Sequence, residues 1–242
     1  MKKTAILLGM FIGTSIKKKK MYQLNVQDWL DYTPYDIYIF ESSGTSIDIT
    51  HPRLFEFSFY QGYERIPVAT IYNFWYTKGP TIPEKNSLLR LFKHYPTLFN
   101  YDMVFKVTGK YFCPTFMTEY EKLPKYDMII QHSHIISKLR ILTFSIFIIG
   151  LYLYIKHKWS INISICSLLL LYISFIYSYE NTELIGASPR ILHELFSLIQ
   201  DHSIEYTLYQ FIIFKNIKVY RLPPLQIARK AARNDGSIYT YL

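Results

Sequence analysis

Cysteine is almost missing from this chain. The two present in 242 residues, Cys113 and Cys166, sit in unlike contexts. They form no metal or redox spacing, and no disulfide framework is implied. Glycine (9) and proline (11) are also sparse. With Ile, Leu and Phe plentiful, that excludes disorder as the general state. Acids are the minority charge, 18 Asp and Glu against 27 Lys and Arg, for a net charge of +9. That balance favours anionic partners. Nucleic acid is not the expected one, because the chain shows no zinc spacing, no basic helix and no RNP-like aromatic motif. No Ser/His/Asp or Cys/His pair has usable spacing for nucleophilic catalysis.

What is present is apolar and aromatic. Half the residues are hydrophobic, and 23 Tyr and 17 Phe raise the aromatic share to 18%. The length suits one sizeable domain, or a domain with an appendage. The most informative stretch is Asn100-Tyr-Asp-Met-Val-Phe-Lys-Val-Thr-Gly-Lys-Tyr-Phe-Cys-Pro-Thr115. Apolar and polar residues alternate from Met103 to Thr108, which predicts a strand. Gly109 ends it as a turn, or as a place where backbone must come close to something. A strand that ends by presenting Thr108, Gly109, Lys110 and Tyr111 suits a ligand-facing edge of an α/β sheet.

Upstream, Met1–Gly13 has the outline of a signal peptide, a basic start and then an apolar run. A buried first strand of a parallel sheet reads the same way. The order that follows favours the strand. Leu24, Trp29 and Leu30 are at helical spacing between Met21 and Thr33, and Pro34 marks the end. Tyr35–Phe40 then predicts a second strand with a polar exit, Glu41-Ser-Ser-Gly44, giving a βαβ opening. Further on, Lys78-Gly79 precedes a helix from Thr81 to His94, with Pro83 and Glu84 in its first turn. A helix start of this kind is a natural seat for a phosphate. Tyr126–Ile130 is another strand candidate. His132 and His134 follow it with no third ligand in view, too few for a metal site.

Residues 141–155 are uncharged and apolar, Lys156-His157-Lys158 interrupts, and residues 159–179 are again uncharged. The second run is long enough to cross a bilayer. A membrane hairpin, one span with an interfacial segment, and buried helices are the alternatives, and membrane contact is favoured. In the last third, Ser188 and Pro189 predict a helix start with an apolar stripe at Ile191, Leu192, Leu195, Phe196 and Ile199. A second helix is expected to run from His202 to Phe214, with a closing strand at Ile217–Tyr220.

Asp102-x-x-x-Lys106-x-Thr108-Gly109-Lys110-Tyr111 resembles the D-x-x-x-K-[IVL]-[TS]-G-[RK]-Y signature of GT-A-like glycosyltransferases from bacterial polysaccharide loci, large DNA viruses and protists. Lys110 stands where Arg is usual, keeping the charge but losing the planar fork. The resemblance covers most of residues 3–136 and 180–240. It implies a GT-A-like (Rossmann-like) mixed α/β sheet flanked by helices. Residues 1–136 would form its nucleotide-sugar half and 180–242 its acceptor side. Between them, residues 139–179 would be an apolar insertion, either a membrane hairpin or translated intron sequence. It further implies a nucleotide-sugar donor and a glycan or lipid-linked acceptor.

Donor contacts by this resemblance are Glu41, Ser43, Gly44, Lys78, Gly79, Glu84, Lys106, Thr108, Gly109, Lys110 and Tyr111. The catalytic candidates are Asp102, Glu183 and Glu205, the two glutamates as possible bases that take a proton from the acceptor hydroxyl. A divalent metal is possible, yet the Asp-x-Asp pair that many such enzymes use is missing, and no metal ligands are assigned. If the apolar block is real the protein would be membrane-associated, and otherwise cytoplasmic. The alternatives are a small non-enzymatic membrane protein and a degenerate protein that binds nucleotide sugars without turnover.

Overall fold

A computed structural model describes residues 3–59, 81–123, 125–131, 181–199, 204–222, 225–232 and 238–241. Thr4–Met10 forms β1, buried along nearly its whole length, as a central strand with both faces covered must be. The apolar run near the amino end thus takes the strand alternative. Helix α1 spans Ile16–Tyr32, starting earlier than the expected Met21. Ser15 caps it, its Oγ accepting the Lys18 N–H at 3.3 Å. Tyr22, Asn25, Val26, Trp29 and Leu30 form its buried stripe. At its far end Arg53 donates to the carbonyl of Leu30, in the last turn, and to those of Thr33 (2.7 Å) and Tyr35 (2.9 Å) just beyond it.

Strand β2 (Asp36–Glu41) lies parallel to β1. Strand β3 (Leu54–Ser58) adds outside it, also parallel. Helix α2 (Thr81–His94) crosses the opposite face of the sheet from α1, and a short 3-10 turn at Pro96–Asn100 leads into β4 (Met103–Thr108). Strand β4 pairs parallel with β1 on the side away from β2. Helix α3 (Phe116–Glu121) and β5 (Met128–Gln131) follow. Strand β6 (Asn181–Ala187), which the sequence reading did not assign as a strand, enters between β4 and β5, antiparallel to both. Helices α4 (Pro189–Leu198) and α5 (Ile204–Phe214) then lead to β7 (Val219–Leu222), parallel to β5.

Among the described residues the main sheet therefore has seven strands in the order β3-β2-β1-β4-β6-β5-β7. Segments from before and after the apolar block are interleaved in it. A separate antiparallel pair is formed by β8 (Gln226–Ala232) and β9 (Ile238–Tyr241).

Two cores cover the faces. One packs Tyr22, Val26 and Trp29 of α1 and Phe116 and Tyr120 of α3 against Ile6, Leu8, Phe105 and Val107. The other packs Leu88, Leu91 and Phe92 of α2 and Leu192, Leu195 and Phe196 of α4 against Leu7, Phe40, Val104 and Ile185. Gly186 is required by this packing, since a Cβ there would lie 2.2 Å from the Phe105 ring.

The expected mixed α/β sheet flanked by helices is the architecture found. His132, His134 and residues 139–179 lie outside the described residues. Among the described residues no helix is long and apolar enough to cross a membrane.

Candidate functional site

The chain moves outward from β1 to β2 and β3, returns through α2, and sets β4 on the other side of β1. At the carboxyl ends of β1 and β4 the strand order changes direction, and the connections that leave both strands, α1 and α3, pack on the same face of the sheet. Gly9 and Thr108 are register partners at that edge. The Gly109 N–H donates to the Gly9 carbonyl at 2.8 Å, carrying the strand pairing into the turn. Thr108-Gly109-Lys110 is thus held against the end of β1.

Helix α1 fixes this turn from below. The buried Asn25 amide donates to the Lys110 carbonyl at 2.7 Å and to the Gly109 carbonyl at 3.4 Å. One turn later, the Trp29 indole N–H donates to the Tyr111 carbonyl at 2.9 Å. The Trp29 ring meets Phe112 and Phe116 edge-on, at centroid distances of 5.1 and 5.5 Å. Neither Asn25 nor Trp29 was singled out as a site residue from sequence. The signal is an amide and an indole four residues apart on a helix face that is otherwise apolar.

The exit of β2 is organised by one carboxylate. Glu41 is fully buried. Its oxygens accept the N–H groups of Ile12, Ser43 and Thr45, each at 2.9 Å, and the Ser43 hydroxyl at 2.5 Å. Ser43 Oγ in turn accepts the Gly13 N–H at 2.8 Å. Gly44 has φ 77°, a left-handed turn that glycine adopts without steric cost. Glu41 therefore serves the loop from inside, clamping the exits of β1 and β2 together, and Ser43 belongs to the same network.

Glu84, in the first turn of α2, lies against the same edge. A Cβ on Gly9 would lie 2.8 Å from the Phe40 ring and 3.5 Å from Glu84 Oε1. Glu84 Oε1 is 2.6 Å from the Lys106 ammonium, whose side chain is 3% exposed. Glu84, 27% exposed, thus brings a counter-charge to a buried ammonium. Lys110 is partly exposed, and among the described residues no acid forms an ion pair with it.

Several expectations need correction. Asp102 stands just before β4, with its carboxylate accepting the Lys3 N–H at 2.8 Å. At about 3.3 Å per residue, Asp102 and Thr108 are roughly 20 Å apart at opposite ends of the strand. Asp102 thus ties the amino ends of β1 and β4 and is not part of this edge. Lys106 is a buried structural cation beside Glu84. Tyr111 is 3% exposed, its ring in the core on the α1 face. Gly109 is a close backbone approach, but what approaches is Met10, whose Cγ would lie 2.7 Å from an added Cβ. Lys78 and Gly79 lie outside the described residues.

Glu183 immediately precedes Leu184, the partner of Val107, and so stands beside the end of β4. Together with burial, the larger cause, its charge helps push the Cys113 thiol up to about 12. Glu205 is in the first turn of α5. That helix runs down into the amino end of β7, which sets its first turn toward the carboxyl edge. Tyr22, beneath the loops, is pushed up to about 12, first by burial and further by the charges of Glu41 and Glu84. Among the described residues no group of three His, Cys, Asp or Glu side chains gathers as a metal site. Glu41 and Glu84 are each committed to other partners.

Neither a protein-family model nor a curated protein matches the sequence. Among solved structures the fold is similar to that of WbbM, described as a bifunctional glycosyltransferase in its apo form. The TM-score is 0.47 and the identity 12%, over 91% of this chain and 39% of that one. This chain thus spans about two fifths of that protein's length.

Proposed function

We propose that this protein is a glycosyltransferase, moving a sugar from a nucleotide-activated donor to a hydroxyl of a glycan or lipid-linked acceptor. The observation that carries the reading is the position of Thr108-Gly109-Lys110. The three residues in which the sequence most resembles GT-A-like transferases lie at the carboxyl ends of β1 and β4, where the sheet order reverses. Open α/β sheets bind ligands at such points. The Thr108 hydroxyl and the Lys110 ammonium are the donor-side groups, and Lys110 would offset phosphate charge as the leaving diphosphate forms. Glu183, beside β4, is the better-placed base for the acceptor hydroxyl. Glu205 is the second candidate. Lys78 and Gly79, ahead of α2, remain donor-side candidates on the resemblance alone.

The test is thermal shift of the full chain against UDP-, GDP- and CMP-sugars, with diphosphate release followed in the presence of glycan acceptors. We expect a selective shift from one nucleotide class, abolished by Thr108→Val with Lys110→Ala. A folded protein that ignores every nucleotide overturns the reading. Binding without release, in every acceptor tried, would instead favour a degenerate transferase. One observation points that way: Lys106, a motif cation, is neutralised by Glu84. The apolar block at 141–179, the basis of the membrane-protein alternative, is outside the described residues.

A further inference from the structure

Helix α1 carries its charges against its own dipole. Its first turn has no acid and its last turn no base. Instead Lys17–Lys20 open it, while Asp28 and Asp31 lie in its second half. The amino end of a helix is partially positive, so lysines there oppose the helix where acids would support it. Lys19 is matched by Asp48, whereas Lys17, Lys18 and Lys20 are exposed.

Apolar side chains are left in solvent among them: Ile16 is 74% exposed, Leu24 52% and Phe11 38%. The Lys18 ammonium lies 5.7 Å over the Phe11 ring, on the flank of α1 that faces the loop after β1. Ile16, Lys17, Lys20 and Leu24 fall on one stripe, opposite the buried stripe from Tyr22 to Leu30. This is a surface with two chemistries at once. A polyanion in water would satisfy the lysines and leave Ile16 and Leu24 wet. An apolar protein groove would satisfy the reverse.

We propose that the exposed stripe of the amino-terminal half of α1 docks on the surface of an anionic lipid bilayer. Phosphate headgroups take the lysines, and the apolar side chains enter the boundary between headgroups and acyl chains. The contact is interfacial and does not span the membrane. Because α1 follows directly from the carboxyl end of β1, docking sets the sheet edge near the lipid surface. The inference stands on this patch alone and does not depend on the sugar-transfer reading.

The experiment is vesicle co-sedimentation of the full chain with phosphatidylcholine alone and with phosphatidylcholine plus phosphatidylserine, at about 0.15 M and about 1 M salt. We expect partitioning to favour the anionic vesicles and to weaken at high salt. Lys17→Gln/Lys18→Gln/Lys20→Gln should reduce it on the order of a hundredfold, each lysine at an anionic surface contributing several-fold. Ile16→Asp/Leu24→Asp should also release the protein, with far-ultraviolet circular dichroism unchanged in both variants. Equal binding to neutral and anionic vesicles overturns the proposal, because the apolar residues at 141–179 then carry the contact. So does loss in the lysine variant with none in the aspartate variant, which marks a site for a soluble polyanion such as heparin or nucleic acid.

Discussion

Lys106 keeps its ammonium inside the protein because Glu84 reaches it from the first turn of α2, at 2.6 Å. Removing Glu84 takes a close counter-charge away from a buried ammonium, which is costly. Glu84→Gln should destabilise the protein by about 3 kcal/mol in urea titration. Glu84→Gln with Lys106→Met should recover most of that loss, because no charge is then stranded. If the double variant is as unstable as the single one, the pair is not what holds α2 to β4. Cys113 makes a different demonstration. Its thiol is buried and pushed up to about 12. In a Cys166→Ser chain, iodoacetamide at pH 8 should therefore label the native protein at least about a hundredfold more slowly than the urea-unfolded one. At this scale the position of Thr108 and Lys110 at the end of a strand could be read from sequence, because a glycine separates them and strand alternation precedes them. Asp102 was misjudged because residues close in a strand's sequence are far apart along its axis. Neighbours in the motif became opposite ends of the sheet.

Elements were legible where their local signals agreed with their final packing. The βαβ opening, the Ser188-Pro189 helix start and β5 follow from alternation, capping and helical spacing. Helix α1 starts earlier than expected because Ser15 caps it and Tyr22 is buried, which outweighs the unfavourable lysines of its first turn. Strand β6 was hidden by Gly186, which weakens a strand in isolation. The glycine is there for tertiary reasons, the Phe105 ring lying 2.2 Å from where a methyl would go. Gly186→Ala should cost about 3 kcal/mol or more, and Phe105→Leu added to it should restore part of the loss. Denaturant midpoints of the two variants decide this, and an Ala variant as stable as the parent would refute the packing. Strand β3 escaped notice as a short edge strand whose support is its pairing with β2. In the sequence Asp235-Gly236 falls between β8 and β9, a dipeptide that favours hairpin turns.

For the whole molecule, the tyrosine and cysteine burial predicts alkaline weakness. Tyr22, Tyr35 and Cys113 are each pushed up to about 12, in every case chiefly by burial. These groups ionise near 10.0 and 9.0 when unburied, so the fold favours their neutral forms. Their contribution is complete below about pH 9 and falls as pH rises toward about 12. Melting temperature should drop across that window, with tyrosinate absorbance appearing together with loss of helix. Absorbance that rises smoothly while the helix persists would count against it. The order in which strands enter the sheet has a consequence for how the chain is made. Strand β4 is the central strand, yet its outer neighbour β6 lies beyond residues 132–180. At about 5–20 residues per second, translation of residues 109–180 leaves the newly made β4 without that neighbour for roughly 4–14 s. During that interval an apolar strand edge is open to any other extended chain, a hazard that finished sheets cover. A ribosome stalled before β6 should therefore hold a nascent chain captured by chaperones, and one stalled after β7 should not.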